Sequence, residues 1–556
     1  MARCIFRKMN LVDNEANRPR EMTEGEIFER FKPIRAKIRF HNPANIIRRA
    51  TSLLHERVDP VSPKEWTYLP WILLLLVRWT FQYGEVNANA RALTDKDFDD
   101  LYRETYDLDS GIALSGQGDR DPIAAFMART LFVQLPFQAQ TYELRSIGRQ
   151  LIIFEQLGTA YNVDGLFTAQ YGLSIREFLR LYYTCWAGKA DRYSIQYFHG
   201  IFPEQTIGAF FRAISVDVTS GQQFIRDYTQ PGAHIAFQSH EHSPLELKPV
   251  LKTGHEWIPF SFRLFETALQ NNIYDFLRRD VPAFSGQIFG PIFEQYVDRT
   301  ISYYSDGNYQ TETDLKKQLP KGSKVTDFLV EDEDAAIFIE AKGTELNSRA
   351  RVYQSKESII RNIRSTVLHA VIQCQETAFQ MMKAGALEGK SLFALIVTYK
   401  EYLFGEGGHF WDDVIGDHVT AEIKKAGAEV TIPPNQIFYI SVADFDWLLA
   451  GAKQRGETIA RILAQVVERN QHAETRALML RQHLESLWGT HYEPPSLEQA
   501  RQAFQDEMME IAKPLAELEA SKEPVTARYP NSVLKNRLRS GVGVQALIVS
   551  GQANST

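Results

Sequence analysis

Asp327, Glu340 and Lys342 are the residues of this 556-residue chain whose types and spacing suit joint chemistry. They lie in K-V-T-D-F-L-V-E-D-E-D-A-A-I-F-I-E-A-K-G, Lys324–Gly343, where the apolar runs Val325–Val330 and Ala336–Ala341 flank an acidic turn at Glu331–Asp334. That pattern predicts a β-hairpin. With the turn centred between Glu333 and Asp334, Asp327 falls opposite Glu340, because cross-strand partners stand at equal distances from the turn. Glu340 and Lys342 are two apart on one strand and share a face. Three ionisable groups at the end of an apolar hairpin are costly to bury unless they pair or hold a cation. Two carboxylates and an amine suit a hard, oxygen-ligated cation with water beside it, which is the chemistry of a metal-dependent phosphodiesterase. Glu331, Asp332, Glu333 and Asp334 are assigned to a solvated turn; a register slip of one would turn Glu340 to the other face.

The flanking sequence supplies elements to position these groups. Gly286–Ser302 reads as a helix, with Phe289, Phe293, Val297 and Ile301 on one face and Glu294 beside that stripe. An earlier strand is expected within Ile301–Leu319, where Tyr303, Tyr304 and Tyr309 are the cues. Ser355–Met382 reads as one long helix with Ile363, Val367, Val371, Cys374 and Ala378 on one side. Ser391–Tyr399 is a continuous apolar run fit for a buried strand. Gln436–Val442 adds a further strand, and Asp444–Leu449 begins a following helix. Lys342, Arg349, Arg351, Lys356, Arg361 and Arg364, offset by Glu345 and Glu357, make a locally positive stretch along which a phosphate backbone could track.

In this setting Asp327…Glu340-Ala341-Lys342 resembles the signature of the PD-(D/E)XK nuclease superfamily, with Thr326 where the name has proline. The order helix, hairpin, helix, strand is similar to that superfamily's core, over Gly286 to Leu449. Gln375-Glu376-Thr377-Ala378-Phe379 is similar to the Q-x-x-x-Y element of RecB-like members, with Phe in place of Tyr. The resemblance implies an α/β core of restriction-endonuclease type, a mixed sheet flanked by helices. It implies Mg²⁺, with Mn²⁺ able to substitute, held by Asp327, Glu340, the Ala341 carbonyl and the helix-borne Glu294. Lys342 would serve the attacking water. Gln375, Arg349, Arg351, Lys356 and Arg361 are the supporting and DNA-contact candidates. The substrate implied is DNA, expected to be double-stranded, with 5′-phosphate and 3′-hydroxyl products. Cutting both strands calls for two centres, so a homo-oligomer or a partner nuclease subunit is expected, its interface at the C-terminal helices. Analogy with restriction and phage-defence effectors suggests prokaryotic defence against foreign DNA. A repair or recombination nuclease is the alternative, or a non-catalytic DNA-binding scaffold on the same fold.

The whole chain is too long for one core and suggests about three domains. The reading divides it into a flexible N-terminus (1–23), a mostly α-helical domain (24–231) and an extended connector (232–285). The α/β unit follows (286–450), then a helical extension (451–528) and a disordered tail (529–556). A net charge of −7 argues against indiscriminate coating of nucleic acid, so any basic surface is local. Three cysteines without a CxxC pair exclude a disulfide framework and point to a reduced, cytoplasmic setting. No secretory signal is read at the start, and the strongest apolar run, Leu69–Val77, is too short to span a bilayer. No phosphate-binding glycine loop or serine-hydrolase elbow appears. His234, His240, His242 and His255 cluster in sequence and offer a competing zinc reading, which would need three of them to converge.

Overall fold

The computed structural model describes residues 22–55, 68–85, 90–113, 122–138, 143–229, 235–241, 243–347, 350–351 and 355–520. The expected tail at 529–556 and nearly all of the expected flexible N-terminus lie outside these residues.

Helix α1, Glu24–Phe40, starts at a capping box: the Glu26 N–H donates to Thr23 Oγ1 and the Thr23 N–H donates to the Glu26 carboxylate. Its buried stripe, Ile27, Phe31, Ile34 and Ile38, packs on α2, Pro70–Tyr83. Phe31 meets Trp79 edge to face at 4.8 Å. α2 is buried on nearly every side, including Arg78, so it is a core helix of this unit. The Arg78 guanidinium is compensated by Glu241 at 2.6 Å and by the Thr229 hydroxyl and the Gln238 carbonyl. Among the described residues no helix is long and apolar enough to cross a membrane. Helix α3, Pro122–Gln138, carries Phe132 into the core that contains Leu346 and Ala350 and beneath the Arg351 guanidinium.

A small sheet follows: β1, Ser215–Val216, runs parallel to β2, Val250–Thr253, which pairs antiparallel with β3, Glu256–Pro259. Among the described residues of the stretch expected to be an extended connector, β2 and β3 are the strands. Ile235–His240 is helical, and Phe262–Asp280 forms helix α4. The sequence carries the cue for α4: Phe265, Leu269 and Phe276 recur at helical spacing with Leu264, Ala268, Ile273 and Leu277, and all are buried.

The larger sheet has strand order β4-β5-β6-β7-β8. Its members are β4, Gln310–Thr311; β5, Phe328–Glu331; β6, Ala335–Lys342; β7, Ser391–Thr398; and β8, Ile437–Ser441. β5 lies between β4 and β6 and runs antiparallel to both, while β6, β7 and β8 run parallel. The β5–β6 register pairs Phe328 with Ile339 and Glu331 with Ala336, so the hairpin turns between Glu333 and Asp334 as the sequence reading requires.

Alternate residues of the sheet feed two different cores. Phe328, Val330, Ile337, Ile339, Phe393, Leu395 and Val397 face one core with α4 and with α5, Gly290–Ser305. Phe289, Phe293, Val297 and Ile301 are fully buried there. Leu329, Ala336, Phe338, Leu392, Ala394 and Ile396 face the other, under α6, Lys356–Ile363, and α7, Val367–Lys383. The single helix expected over Ser355–Met382 is thus two, broken at Arg364–Thr366, where Thr366 leaves helical geometry (φ −125°, ψ −99°). C-terminal to β8 come α8, Val442–Arg455, α9, Ile459–Gln471, α10, Leu480–Trp488, and α11, Pro495–Ala520. α8 stops at Gly456, which takes the left-handed φ of 65° that glycine tolerates. One contiguous core runs from Ile147 to Met508 and crosses the positions 231, 285 and 450 at which composition suggests boundaries.

Candidate active site

The β5–β6 register extends by one pair to set Asp327 opposite Glu340. Each carboxylate is tied to the backbone of the opposite strand: the Asp327 N–H donates to Glu340 Oε1 at 3.2 Å, and the Ala341 N–H donates to Asp327 Oδ2 at 2.8 Å. Lys342 Nζ lies 3.8 Å from Asp327 Oδ2 and pairs closely with Glu340 Oε2. Glu340 is completely buried, whereas the Asp327 and Lys342 side chains are 13% and 19% exposed, so the group opens to solvent on their side.

Burial pushes the Glu340 carboxyl well above the ordinary range, the Asp327 charge adds to this, and the Lys342 ammonium opposes it. Asp327 is raised too, by burial first, against the pull of Lys342 and the Ala341 N–H. Burial works against the Lys342 charge, but Glu340 and Asp327 outweigh it and its pKa rises. The result is a protonation-sensitive acid pair held around one ammonium.

Glu294 stands on the exposed side of α5, within electrostatic reach of Asp327. Among the described residues no three His, Cys, Asp or Glu side chains gather closely enough to hold a metal. The donors this end of the sheet offers are therefore Asp327, Glu340 and the intervening Ala341 backbone. That set suits Mg²⁺, which is commonly bound by one or two carboxylates and completes its shell with water and phosphate oxygens. The fully buried Glu340 Oε2 has the Lys342 ammonium as its partner, so a cation bound there would share that oxygen with Lys342.

The remaining candidates do not converge on this group. Gln375 is fully buried and clamps another loop: its Oε1 accepts from the Thr431 and Ile432 N–H groups at 2.8 and 2.9 Å, and its Nε2 donates to the Ile432 carbonyl at 2.8 Å. Arg351 is buried, pairs with Glu345 and lies 5.0 Å over the Phe132 ring. Lys356 begins α6 and is partly exposed, while Arg361 is exposed and pairs with Glu357 along the same helix. Arg349 lies outside the described residues. The basic run is therefore not one surface stripe, because Arg351 is buried and Arg361 is exposed. Of the competing histidines, His234 and His242 lie outside the described residues. His240 is buried, whereas His255 is exposed in the β2–β3 turn.

Sequence reasoning missed the face of α7 that does meet the hairpin. Gln373 Nε2 donates to the Val325 carbonyl at 3.0 Å, Thr377 Oγ1 accepts from the Thr326 N–H at 3.0 Å, and Lys324 pairs with Glu376 at 3.2 Å. The signal was present: His369, Gln373 and Thr377 are polar residues at four-residue spacing along α7.

Compared with known proteins, the chain matches no family model, no curated protein and no solved structure.

Proposed function

We propose that the chain is a metal-dependent phosphodiesterase acting on DNA, with its centre at Asp327, Glu340 and Lys342. The observation that carries this reading is the opposition of the two carboxylates across the β5–β6 pair with one lysine between them. A bound Mg²⁺ would polarise the scissile phosphate and lower the pKa of a coordinated water. Asp327 and Glu340 would hold it, with the Ala341 carbonyl as a further donor and Glu294 as an outlying carboxylate. Lys342 would orient the attacking water or neutralise charge that builds on the phosphate. Double-stranded DNA as substrate, a cytoplasmic setting, a second active centre from another subunit and a role in defence against foreign DNA follow by analogy and belong to this proposal. The pairing of Lys342 with both acids supports a second reading, in which the ammonium serves as a structural counter-ion and the unit is a non-catalytic DNA-binding scaffold.

Incubation of purified protein with supercoiled plasmid, linear duplex and single-stranded DNA, with Mg²⁺ or with EDTA, tests the first reading against the second. Mg²⁺-dependent nicking or linearisation is expected, lost in Lys342→Ala and Asp327→Ala. Cleavage retained by a folded Asp327→Ala protein would sink the assignment.

A further inference from the structure

The approaches to the acid pair differ in charge. On the α5 side, Glu294 and Glu312 both act on it as like charges. On the α7 side stand Lys324, His369 and Lys342. α7 is pinned against the segment before Asp327 by Gln373, Thr377 and Cys374, which meet Val325 and Thr326. His369 lies one turn earlier on the same face, because residues four apart on a helix are neighbours. Its imidazole meets the Gln373 side chain and sits within electrostatic reach of Lys342 and Lys324. It is only partly buried, and the Lys324 side chain is 43% exposed, so both are accessible from solvent. Glu340 and Lys342 share the sheet face that looks toward α7, since Phe338 and Ala336, two and four residues before Glu340 on β6, pack in that core.

Resting on the reading of this centre as a phosphodiesterase, we propose that His369 and Lys324 form a phosphate-binding wall that receives a backbone phosphate of the nucleic acid facing Asp327 and Glu340. A polyanion is repelled from the α5 side and finds two donors on the α7 side. Lys324 contributes a point charge held in place by Glu376. Burial, then Lys342 and Lys324, hold the imidazole of His369 below its ordinary pKa, so the ring contributes a hydrogen bond rather than a charge.

The test uses the full chain and a fluorescently labelled 20-base-pair duplex, with binding followed by anisotropy in EDTA over a salt series and cleavage followed in Mg²⁺. Lys324→Ala is expected to weaken binding and to lower the slope of log affinity against log salt by about one. His369→Ala is expected to weaken binding about 10-fold and raise KM with the salt slope unchanged. His369→Gln, which keeps a donor, recovers most of the affinity. Circular dichroism checks that each variant is folded. If the wild type cleaves through Lys342 while all three variants bind and cleave as it does, the wall is refuted and the phosphodiesterase reading stands. If binding depends on Lys324 and His369 but nothing cleaves, the wall stands and the catalytic reading falls. A wild type that neither binds nor cleaves overturns both.

Discussion

Lys342 is the residue on which the electrostatics of the acid pair turns. Removing its ammonium leaves Glu340 and Asp327 side by side and largely buried, and breaking such a pair costs about 3 kcal/mol. Both carboxyls already have folded pKa values above their unfolded ones. Their stabilising contribution is therefore present at low pH and is lost as pH rises through the folded values. In Lys342→Met a proton can take the place of the ammonium, and does so more readily the lower the pH. The melting-temperature deficit against wild type should be small at pH 5 and grow toward pH 8. Mg²⁺ should reduce that deficit at pH 8 if the two acids bind it, because a ligand that binds only the folded state stabilises it. A deficit that Mg²⁺ leaves untouched would count against a metal site, independently of any activity assay.

Element packing separates residues that hold the frame from those that face the chemistry, and Gln375 belongs to the frame. It ties α7 to the loop before β8 through three hydrogen bonds, two of them fully buried. Gln375→Ala would strand those backbone groups at a cost of about 2–4 kcal/mol. The melting temperature should fall while cleavage, assayed below the new transition, is kept. A large loss of cleavage without loss of stability would return Gln375 to the site. Acid sensitivity is set further along, where His491 stacks on Trp447 at 4.2 Å. Burial, then Arg145, Arg481 and Arg149, push its pKa down to about 3. A group depressed in this way contributes stability that is present above the unfolded value near 6.5 and lost as pH falls toward about 3. His491→Gln should lose less stability than wild type between pH 6.5 and pH 4 in paired thermal melts. Equal losses would show that the ring is not held neutral.

The molecule as a whole is less divisible than its composition suggests. The core entered by the inner face of the sheet also contains Phe265, Leu269, Ile273 and Phe276 of α4 and Ile459, Ile462 and Leu463 of α9, all outside 286–450. Each large apolar side chain left exposed forfeits about 1.5–3 kcal/mol, and net stabilities are only about 5–15 kcal/mol. The isolated 286–450 fragment should therefore fail to show a cooperative melt, whereas the full chain shows one. A sharp transition in the fragment would establish that the α/β unit folds by itself. At the other end of the chain, Phe132 of α3 reaches the loop that follows Lys342 and touches Arg351. The N-terminal helices are thereby in direct contact with that loop.

What the sequence by itself determined is local. The acidic turn between two apolar runs set the hairpin register, because strand pairing counts residues from the turn, and that register places Asp327 across from Glu340. The stripe Phe289, Phe293, Val297 and Ile301 was legible because one helix face repeats about every four residues. Ser391–Tyr399 was legible because a strand covered on both faces is apolar throughout. What only the tertiary structure decided is which polar residues of those elements meet. Gln373 and Gln375 are two apart on one helix and so project about 200° apart. Which of them faces the hairpin depends on how α7 rolls onto the sheet, a choice made by Leu329, Phe338 and Ile396 packing beneath it. Arg351 turns inward for a similar reason, since Phe132 and Glu345 receive it from segments far away in sequence or across a loop. Contacts between distant segments are set by the sum of the packing, and no local spacing records it.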